Sequence, residues 1–563
     1  MKLRFNLFVS TLFVLALTLP AFSQAVDTVI GQFTNSQAET FVGGISGDGR
    51  FVVFESRGNL DTQNPRNADA NNEIFLWDYA QRRIFQITDT KSVLINPSGS
   101  STAFTNIRVE ITNTRPTIST DGRYIVFSSN ATTNYPGDTT FPPVSNTTNP
   151  GSFDGNAFTV SASPSPSPSP SGSPGDNPLT HDANLEIWFY QIPAYPAVAD
   201  LSAGDEQPLT FLSPVDANGI GVSGAAFFQV TNTVPSQLPR SATSTTGAFV
   251  ADDNHDASIS DNGQAIAFVS SRDLVTGGNT FPNADNDEIF TVTWSGSPAS
   301  FTTKQVTTTP RGTVSSPIYS KFPTISGSGL RVAYASNGEN QTLTSGSCVS
   351  APPATRNEEV FYADLDATGT PTLCRQITNT TASSPGAPVN MFDAGRRMSR
   401  DGRYIAFDSY ADLEGSGGTL SSFALYLYDT SLTTGNFRRI GPRSDADAGV
   451  SGGDSHHYPG FTDTDGLGTP STLILTTREN IKPDGTIPAT AADGLNNDGA
   501  RPVQIYSYPL NEPANTATFK RLTKFPAPVA FLASTRPITS DTRKRTAFNL
   551  ALTELGTGNQ PDL

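Results

Sequence analysis

The 563 residues include four histidines, two cysteines and 52 carboxylates, against 36 lysines and arginines. When the recurring Ser-x-Asp-Gly stretches are aligned, Arg115, His255 with Asp256, Arg396 with Arg397, His457 and Arg536 fall at comparable places, a few residues ahead of the serine. Guanidinium and imidazole groups gathered at one place would suit an anionic ligand such as a carboxylate-bearing sugar or a peptide C-terminus. In a chain of net charge −16 the same groups would equally well pair with acidic neighbours. A second pattern is Asp69-x-Asn71-x-Glu73, Asp182-x-Asn184-x-Glu186 and Asp285-x-Asp287. Oxygen ligands at alternate loop positions are what Ca²⁺ takes, although the further ligands and the glycine of a calcium loop are missing. Asx turns leading into strands account for the spacing as well. The adjacent His456 and His457 raise a metal or general-base chemistry. Gly449-Val450-Ser451-Gly452-Gly453 has the letters of a nucleophile elbow without a strand-to-helix context, and is read as a loop. Cys348 and Cys374 are the only thiols; an exported chain would permit a disulfide between them, and the loop geometry leaves the free pair open.

What positions these residues is a repeat. Ser119-Thr120-Asp121-Gly122-Arg123-Tyr124-Ile125-Val126-Phe127 has relatives starting at Ser46, Ser260, Ser326 and Ser399, with degenerate forms over 462–475 and 540–548. The Asp-Gly, Asn-Gly or Ser-Gly pair accepts positive φ and sets a tight turn between two strands. A third strand follows a variable loop, as in Glu73-Ile74-Phe75, Glu288-Ile289-Phe290 and Glu359-Val360-Phe361; a fourth follows a short connection, as in Phe85-Gln86-Ile87-Thr88 and Arg375-Gln376-Ile377-Thr378. A four-stranded meander cannot cover both of its faces, so copies must stack, and a closed ring protects their edges.

The expected fold is therefore all-β: a β-propeller of four-stranded antiparallel blades. Seven blades are expected, with six as the alternative, and a ring closed by N- and C-terminal strands, because Gly31-Gln32-Phe33-Thr34-Asn35 reads as a fourth strand and 536–550 as a first and second. The blade pattern, Ser-x-Asp-Gly-Arg-x-Ile-Ala-Phe followed by Glu-Ile-Phe and a Leu/Ile-Thr strand, resembles the TolB-type, WD-repeat-like propellers over residues 33–552. That resemblance implies a fold and no single function, since such propellers serve as binding platforms, protease gates and polysaccharide lyases. In some such lyases histidines around the channel hold a divalent metal; here only His255 and His457 stand at comparable positions.

Residues 1–25, with Lys2 and Arg4 ahead of an apolar run and a Ser23-Gln24-Ala25 end, read as a secretory signal peptide. Residues 26–563 read as one propeller domain, interrupted at about 141–180 by a Ser/Pro-rich insertion whose Ser163–Pro174 tract favours solvated polyproline II. The acidic balance argues against nucleic acid and anionic membrane as partners. The long second-to-third loops and the links between blades emerge on one face, where binding is expected. The sequence thus points to an exported, periplasmic or extracellular, monomeric scaffold binding protein, peptide or glycan. The alternative is a carbohydrate-active lyase or hydrolase working at the channel mouth.

Overall fold

The computed structural model describes residues 30–550 apart from the stretches 95–106, 131–184, 194–225, 234–246, 349–355, 444–454 and 526–535 and shorter breaks. The proposed signal peptide and the Ser/Pro tract lie outside the described residues.

Six four-stranded antiparallel sheets follow one another along the chain, each with its strands in sequence order. The first consists of Thr40–Ile45, Phe51–Ser56, Glu73–Asp78 and Arg83–Gln86. The second consists of Asn113–Ile118, Tyr124–Ser129, Glu186–Gln191 and Ala226–Gln229. The third has Asn254–Ile259, Ala265–Ser270, Glu288–Thr293 and Thr302–Gln305. The fourth has Ser320–Ile325, Arg331–Ser336, Glu359–Leu365 and Pro371–Gln376. The fifth has Asn390–Met391, Tyr404–Ala411, Thr419–Asp429 and Phe437–Ile440. The sixth has Gly460–Thr464, Pro470–Thr477, Gln504–Pro509 and Lys520–Arg521. The first strands of blades one to four lie against one another in turn, and the strand Ile538–Thr539 lies against the first strands of blades six and one, as around the channel of a β-propeller. Second strands are buried on both faces, Ala265–Ser270 throughout, because each is covered by the blades on either side. This is why they read as apolar runs rather than as alternations. Among the described residues the one helical piece is a 3-10 turn at Ala491–Asp493, and no helix is long and apolar enough to cross a membrane.

The turn repeat is explained atom by atom in the second blade. Gly122 takes φ +69° and donates its amide to the Ser119 carbonyl at 2.9 Å. Asp121 Oδ1 accepts from the Ser119 hydroxyl at 2.5 Å and from the Arg123 amide at 3.0 Å. The Ser119 hydroxyl oxygen in turn accepts from the Tyr124 amide at 3.0 Å. Neighbouring turns are then linked in series: Gly47 N to Thr120 O, Asp121 N to Asp261 O, Asp261 N to Gly327 O, Gly327 N to Arg400 O and Asp401 N to Gly468 O, at 2.8–3.2 Å.

The expectation of seven blades is corrected to six. Among the described residues a two-stranded hairpin follows the sixth sheet, Ile538–Thr539 with Thr546–Ala547. It lies between the sixth and first blades and carries the ring across the seam: Thr464 N donates to Asp541 O, and the amides of Asp541 and Thr542 donate to Gly47 O. The segment at Gly31–Asn35, expected as a closing strand, is in no strand; it packs through Phe33, stacked on Trp77 at 5.0 Å between ring centroids. Hairpin and segment provide the flanks of a sheet without a strand between them among the described residues.

A clasp recurs beside the third strands of blades one to four and six, whereas blade five has Ala424 at that place. The Glu73 carboxylate accepts from the Thr88 hydroxyl, from the Thr90 amide and hydroxyl at 2.6 and 2.7 Å, and from Asn113 Nδ2 of the next blade at 2.9 Å. Glu186 does the same with Thr233 and Asn254, and Glu359 with Thr380 and Asn390. Blade six uses Gln504, whose Oε1 accepts from the Thr523 hydroxyl and the Phe525 amide at 2.8 and 2.9 Å. Each clasp thus ties a fourth strand to a third, and in blades one to four also to the next blade's first strand, Glu288 accepting there from the Ser320 hydroxyl at 3.5 Å.

Candidate functional site

The first strands carry the side chains around the channel, and their backbone is bent where those side chains leave it. Register slips occur between Thr114 and Thr117, His255 and Ser258, and Lys321 and Thr324. In each slip lies a residue with left-handed backbone: Arg115 at φ +53°, Asp256 at +51° and Phe322 at +56°; Tyr458 at +42° stands at the corresponding place in blade six. Bulges of this kind re-aim side chains, and non-glycine residues there are held by their surroundings. The sequence signal is a cation, acid or aromatic directly before Pro or Ala, as in Arg115-Pro116, Asp256-Ala257, Phe322-Pro323, Tyr458-Pro459 and Arg536-Pro537.

Three clusters result at the channel. In the first, Arg115 Nε stands 3.4 Å from Asp256 Oδ1, and His255 Nδ1 stands 2.9 Å from Asp256 Oδ2. Burial raises the Asp256 carboxyl, but the His255 hydrogen bond and charge, with Arg115 and Lys321, outweigh it and hold the group below the usual range. Behind Arg115 the half-buried Glu55 carboxylate accepts from the Arg115 amide and from the Thr114 hydroxyl, and its desolvation pushes the pKa up against those bonds. Lys321 Nζ pairs with Glu358 at 2.5 Å, and the Tyr319 hydroxyl donates to the same carboxylate at 2.7 Å.

The second cluster sits between blades five and six. His457 Nδ1 is 2.6 Å from Asp408 Oδ1 and its amide donates to Asp408 Oδ2 at 2.9 Å; His457 is 4% exposed. Beside it His456 Nδ1 meets Asp393 Oδ2 at 3.1 Å, with half of its ring buried; the bond to Asp393 raises the imidazole's pKa, against the effect of burial. Phe423 makes edge contacts with both rings, at 6.0 and 5.6 Å. Arg397 is buried and donates to the carbonyls of Pro459 and Ala394 at 2.7 and 2.8 Å, while its guanidinium and that of Arg536 stand 5.7 and 5.2 Å from the Tyr458 ring. Here burial lowers the Arg397 pKa, with Asp393 opposing.

The third cluster is at the tight-turn end. Arg400 binds Asp261 Oδ2 through Nε and Nη2 at 2.8 and 2.6 Å and approaches Asp541 at 3.6 Å. Arg396 stands 3.5 Å from Asp541 and donates to the Thr120 hydroxyl at 3.3 Å. Thr120 donates in turn to Asp261 Oδ1 at 2.7 Å. Groups of blades two, three and five and of the C-terminal hairpin are thereby joined across the ring.

Of the residues expected to share one site, the structure brings Arg115, His255 and Asp256 together, and Arg397, His457 and Arg536 together, but turns Arg396 to the opposite end. Sequence reasoning missed Asp393, Asp408, Tyr458, Arg400, Asp261 and Asp541. Among the proposed calcium ligands, Asp69, Asp182, Asn184 and Asp285 lie outside the described residues, and Asp287 lends its carbonyl to the Ser320 amide at 2.7 Å. Asn71 donates to Thr90, and Glu73 and Glu186 are clasp residues whose oxygens already accept several hydrogen bonds. Among the described residues no three His, Cys, Asp or Glu side chains converge as metal ligands would. Cys374 is disulfide-bonded, and the short strand Ser347–Cys348 lies against its strand.

No protein-family model matches this chain, and no curated protein does. Similar solved structures include TolB from Acinetobacter baumannii (14% identity, 72% of this chain and 55% of that one, TM-score 0.30). They also include the periplasmic gluconolactonase PpgL of Pseudomonas aeruginosa (11%, 94% and 93%, TM-score 0.34) and an acylaminoacyl peptidase of Pyrococcus horikoshii (10%, 91% and 49%, TM-score 0.34). The chain spans about half the length of TolB and of that peptidase. All of these neighbours share the propeller fold at most, and nothing about activity is carried by likeness at this level; the propeller itself rests on the sheets described above.

Proposed function

We propose that this chain is an exported binding scaffold, without catalysis of its own, that holds a protein, peptide or glycan on its long-loop face. Residues 26–563 would form one propeller domain behind a cleaved signal peptide and act as a monomer in the periplasm or outside the cell. The observation that carries this is the pairing of the channel's basic side chains: Arg115 with Asp256, Lys321 with Glu358, His456 with Asp393 and His457 with Asp408, at 2.5–3.4 Å. A rim of acid–base pairs already held by one another is a rigid recognition surface rather than a set of groups poised to exchange protons with a substrate.

The test is binding of the mature protein to peptide and glycan arrays, with turnover of polysaccharides followed in parallel. Saturable binding lost in Arg536→Ala and His456→Ala, with no product formed, is the expected result; product formation from any polysaccharide would overturn it. The second reading, a carbohydrate-active enzyme, is favoured by one detail: Asp408 fixes the His457 ring through Nδ1, as an orienting carboxylate does for a general base. Metal content bears on that reading. Stoichiometric manganese or zinc lost on His255→Ala or His457→Ala would move the assignment to the enzyme.

A further inference from the structure

The fourth strands are the outer edge of the ring. Across the ladder, the third-strand residue three places after the clasp position faces Phe85 in blade one and Phe228 in blade two, but Lys304, Arg375, Arg438 and Lys520 in blades three to six. Four cations thus recur at one register in a chain of net charge −16. The arginines at the start of second strands are each taken by an acid near the end of the third strand, Arg50 by Asp78, Arg331 by Asp364 and Arg403 by Asp429, at 2.5–3.0 Å. Among the described residues no carboxylate stands within ion-pair reach of the four fourth-strand cations.

In blades four and five these cations lean over the cleft towards the next blade, where tyrosines await them. Arg375 stands by Tyr362 of its own blade and Tyr428 of blade five, with the Arg331 guanidinium 4.7 Å over the Tyr362 ring. Arg438 lies 5.8 Å from the Tyr508 ring of blade six and acts on Tyr404 of its own blade, over which Arg403 lies at 4.7 Å. Desolvation raises the pKa of all four phenols, with the guanidiniums opposing. Their hydroxyls have no hydrogen-bond partner among the described residues, and none is sealed from solvent. The nearby carboxylates are Asp364 and Asp429, already paired, and Glu512 beside Tyr508. Lys304 ends the row, because a turn of blade four fills its cleft: the Thr291 hydroxyl donates to Gly369 O at 2.8 Å, and Asp366 brings the opposite charge.

Equivalent places on successive blades lie along the circumference, across the strands. Packed sheets stand about 10 Å apart, so the cations recur at about that interval or wider where the blades fan out. A peptide added to an edge strand runs along that strand and meets one of them. A nucleic-acid strand carries a charge about every 3.4 Å and would lay most of them on an acidic surface. A polymer whose acids are spaced by whole sugar rings matches the interval, its hydroxyls match the open phenols, and a carboxylate matches the planar fork of a guanidinium. We propose that the outer rim from blade four to blade six binds an acidic polysaccharide laid across the blades, with its carboxylates on Arg375 and Arg438 and its sugar rings beside the four tyrosines. The site is separate from the channel mouth and independent of the function proposed there.

The probes are oligosaccharides of hyaluronan, in which every second sugar carries a carboxylate, and of polygalacturonate, in which every sugar does, titrated calorimetrically into the full mature protein. A neutral chitin oligosaccharide and polyglutamate serve as comparisons. Saturable binding of an acidic oligosaccharide is expected, with none of the neutral one. The double variant Arg375→Gln/Arg438→Gln should weaken it about tenfold, as the loss of two exposed ion pairs would. Arg439→Gln removes a cation from the other face of the same strand and should leave the affinity unchanged. Failure of both acidic oligosaccharides to bind, equal affinity for polyglutamate, or equal loss in Arg439→Gln overturns the proposal. Binding that survives the double variant and is lost in His456→Ala also overturns it, by assigning the sugar to the channel mouth.

Discussion

Glu288 offers the sharpest test of the clasp. Its carboxylate is fully buried, accepting from the Thr309 amide at 2.6 Å, from the Thr307 and Thr309 hydroxyls and from Asn286 Nδ2 at 3.1 Å. Burial pushes its pKa from 4.5 up to about 7, although every one of those donors pulls the other way. Between pH 4.5 and 7 the folded state then holds a proton that the unfolded chain has released, so stability falls as pH rises through that window and levels off above it. A shift of that size corresponds to about 3 kcal/mol between pH 4.5 and pH 8, or about 3 °C in melting temperature for a cooperative unit of this length. Glu288→Gln removes the titration while keeping the shape, and blade six already uses Gln504 at this place. Melting curves at half-unit pH steps should show wild type losing stability relative to Glu288→Gln from pH 4.5 to 7, with a constant gap above. Parallel profiles would mean that Glu288 is ionised throughout, with the donors overriding burial, and would refute the reasoning.

Other outcomes follow from the same geometry. Gly122→Val should cost about 1–3 kcal/mol, since φ +69° is closed to a β-branched residue; an unchanged melting temperature would contradict the turn. Asp261→Ala removes the partner of Arg400 and of Thr120 in a partly exposed network, and should cost about 1–2 kcal/mol by denaturant titration. His456→Gln should flatten the part of the stability profile just above pH 6.5: the Asp393-raised imidazole stabilises the fold below its unfolded pKa, and that contribution is lost as pH rises through the raised value. Deleting Ser163–Pro174 should leave the melting temperature unchanged, as expected of a solvated spacer; a large drop would show that the tract is packed.

The fold was legible because its determinants are local. The Ser-x-Asp-Gly turn closes on itself through Ser119, Asp121 and Gly122, and third and fourth strands announce themselves by short apolar runs. Blade number was harder, since Gly31–Asn35 and 536–550 carry strand-like letters whatever lies between them in space. The Glu-Ile-Phe glutamates were visible, but their spacing suggested calcium ligands and gave no hint of the clasp. Their acceptors are filled by threonines some fifteen to twenty residues later, and the Thr-x-Thr of 88–90, 307–309 and 378–380 was the signal that could have revealed it. The cations before each turn were found by alignment, but their partners Asp393, Asp408 and Asp541 sit in other loops or blades, at positions no repeat marks. Arg396 and Arg397 diverge just after a bend at Ala394–Gly395, where Gly395 takes φ +104°, beyond the short first strand of blade five.

The seam has a kinetic meaning. Thr542 reaches Gly47 across 495 residues of chain, so a polypeptide delivered N-terminus first holds its finished blades as an open arc, with two uncovered faces, until the hairpin Ile538–Ala547 arrives. Contacts this remote come late in folding and leave edges exposed meanwhile. Until the final hairpin docks, the arc is the species most in need of a chaperone and most exposed to proteases. A lesion at the hairpin should therefore lower the yield of folded protein more than it lowers the stability of the molecules that succeed.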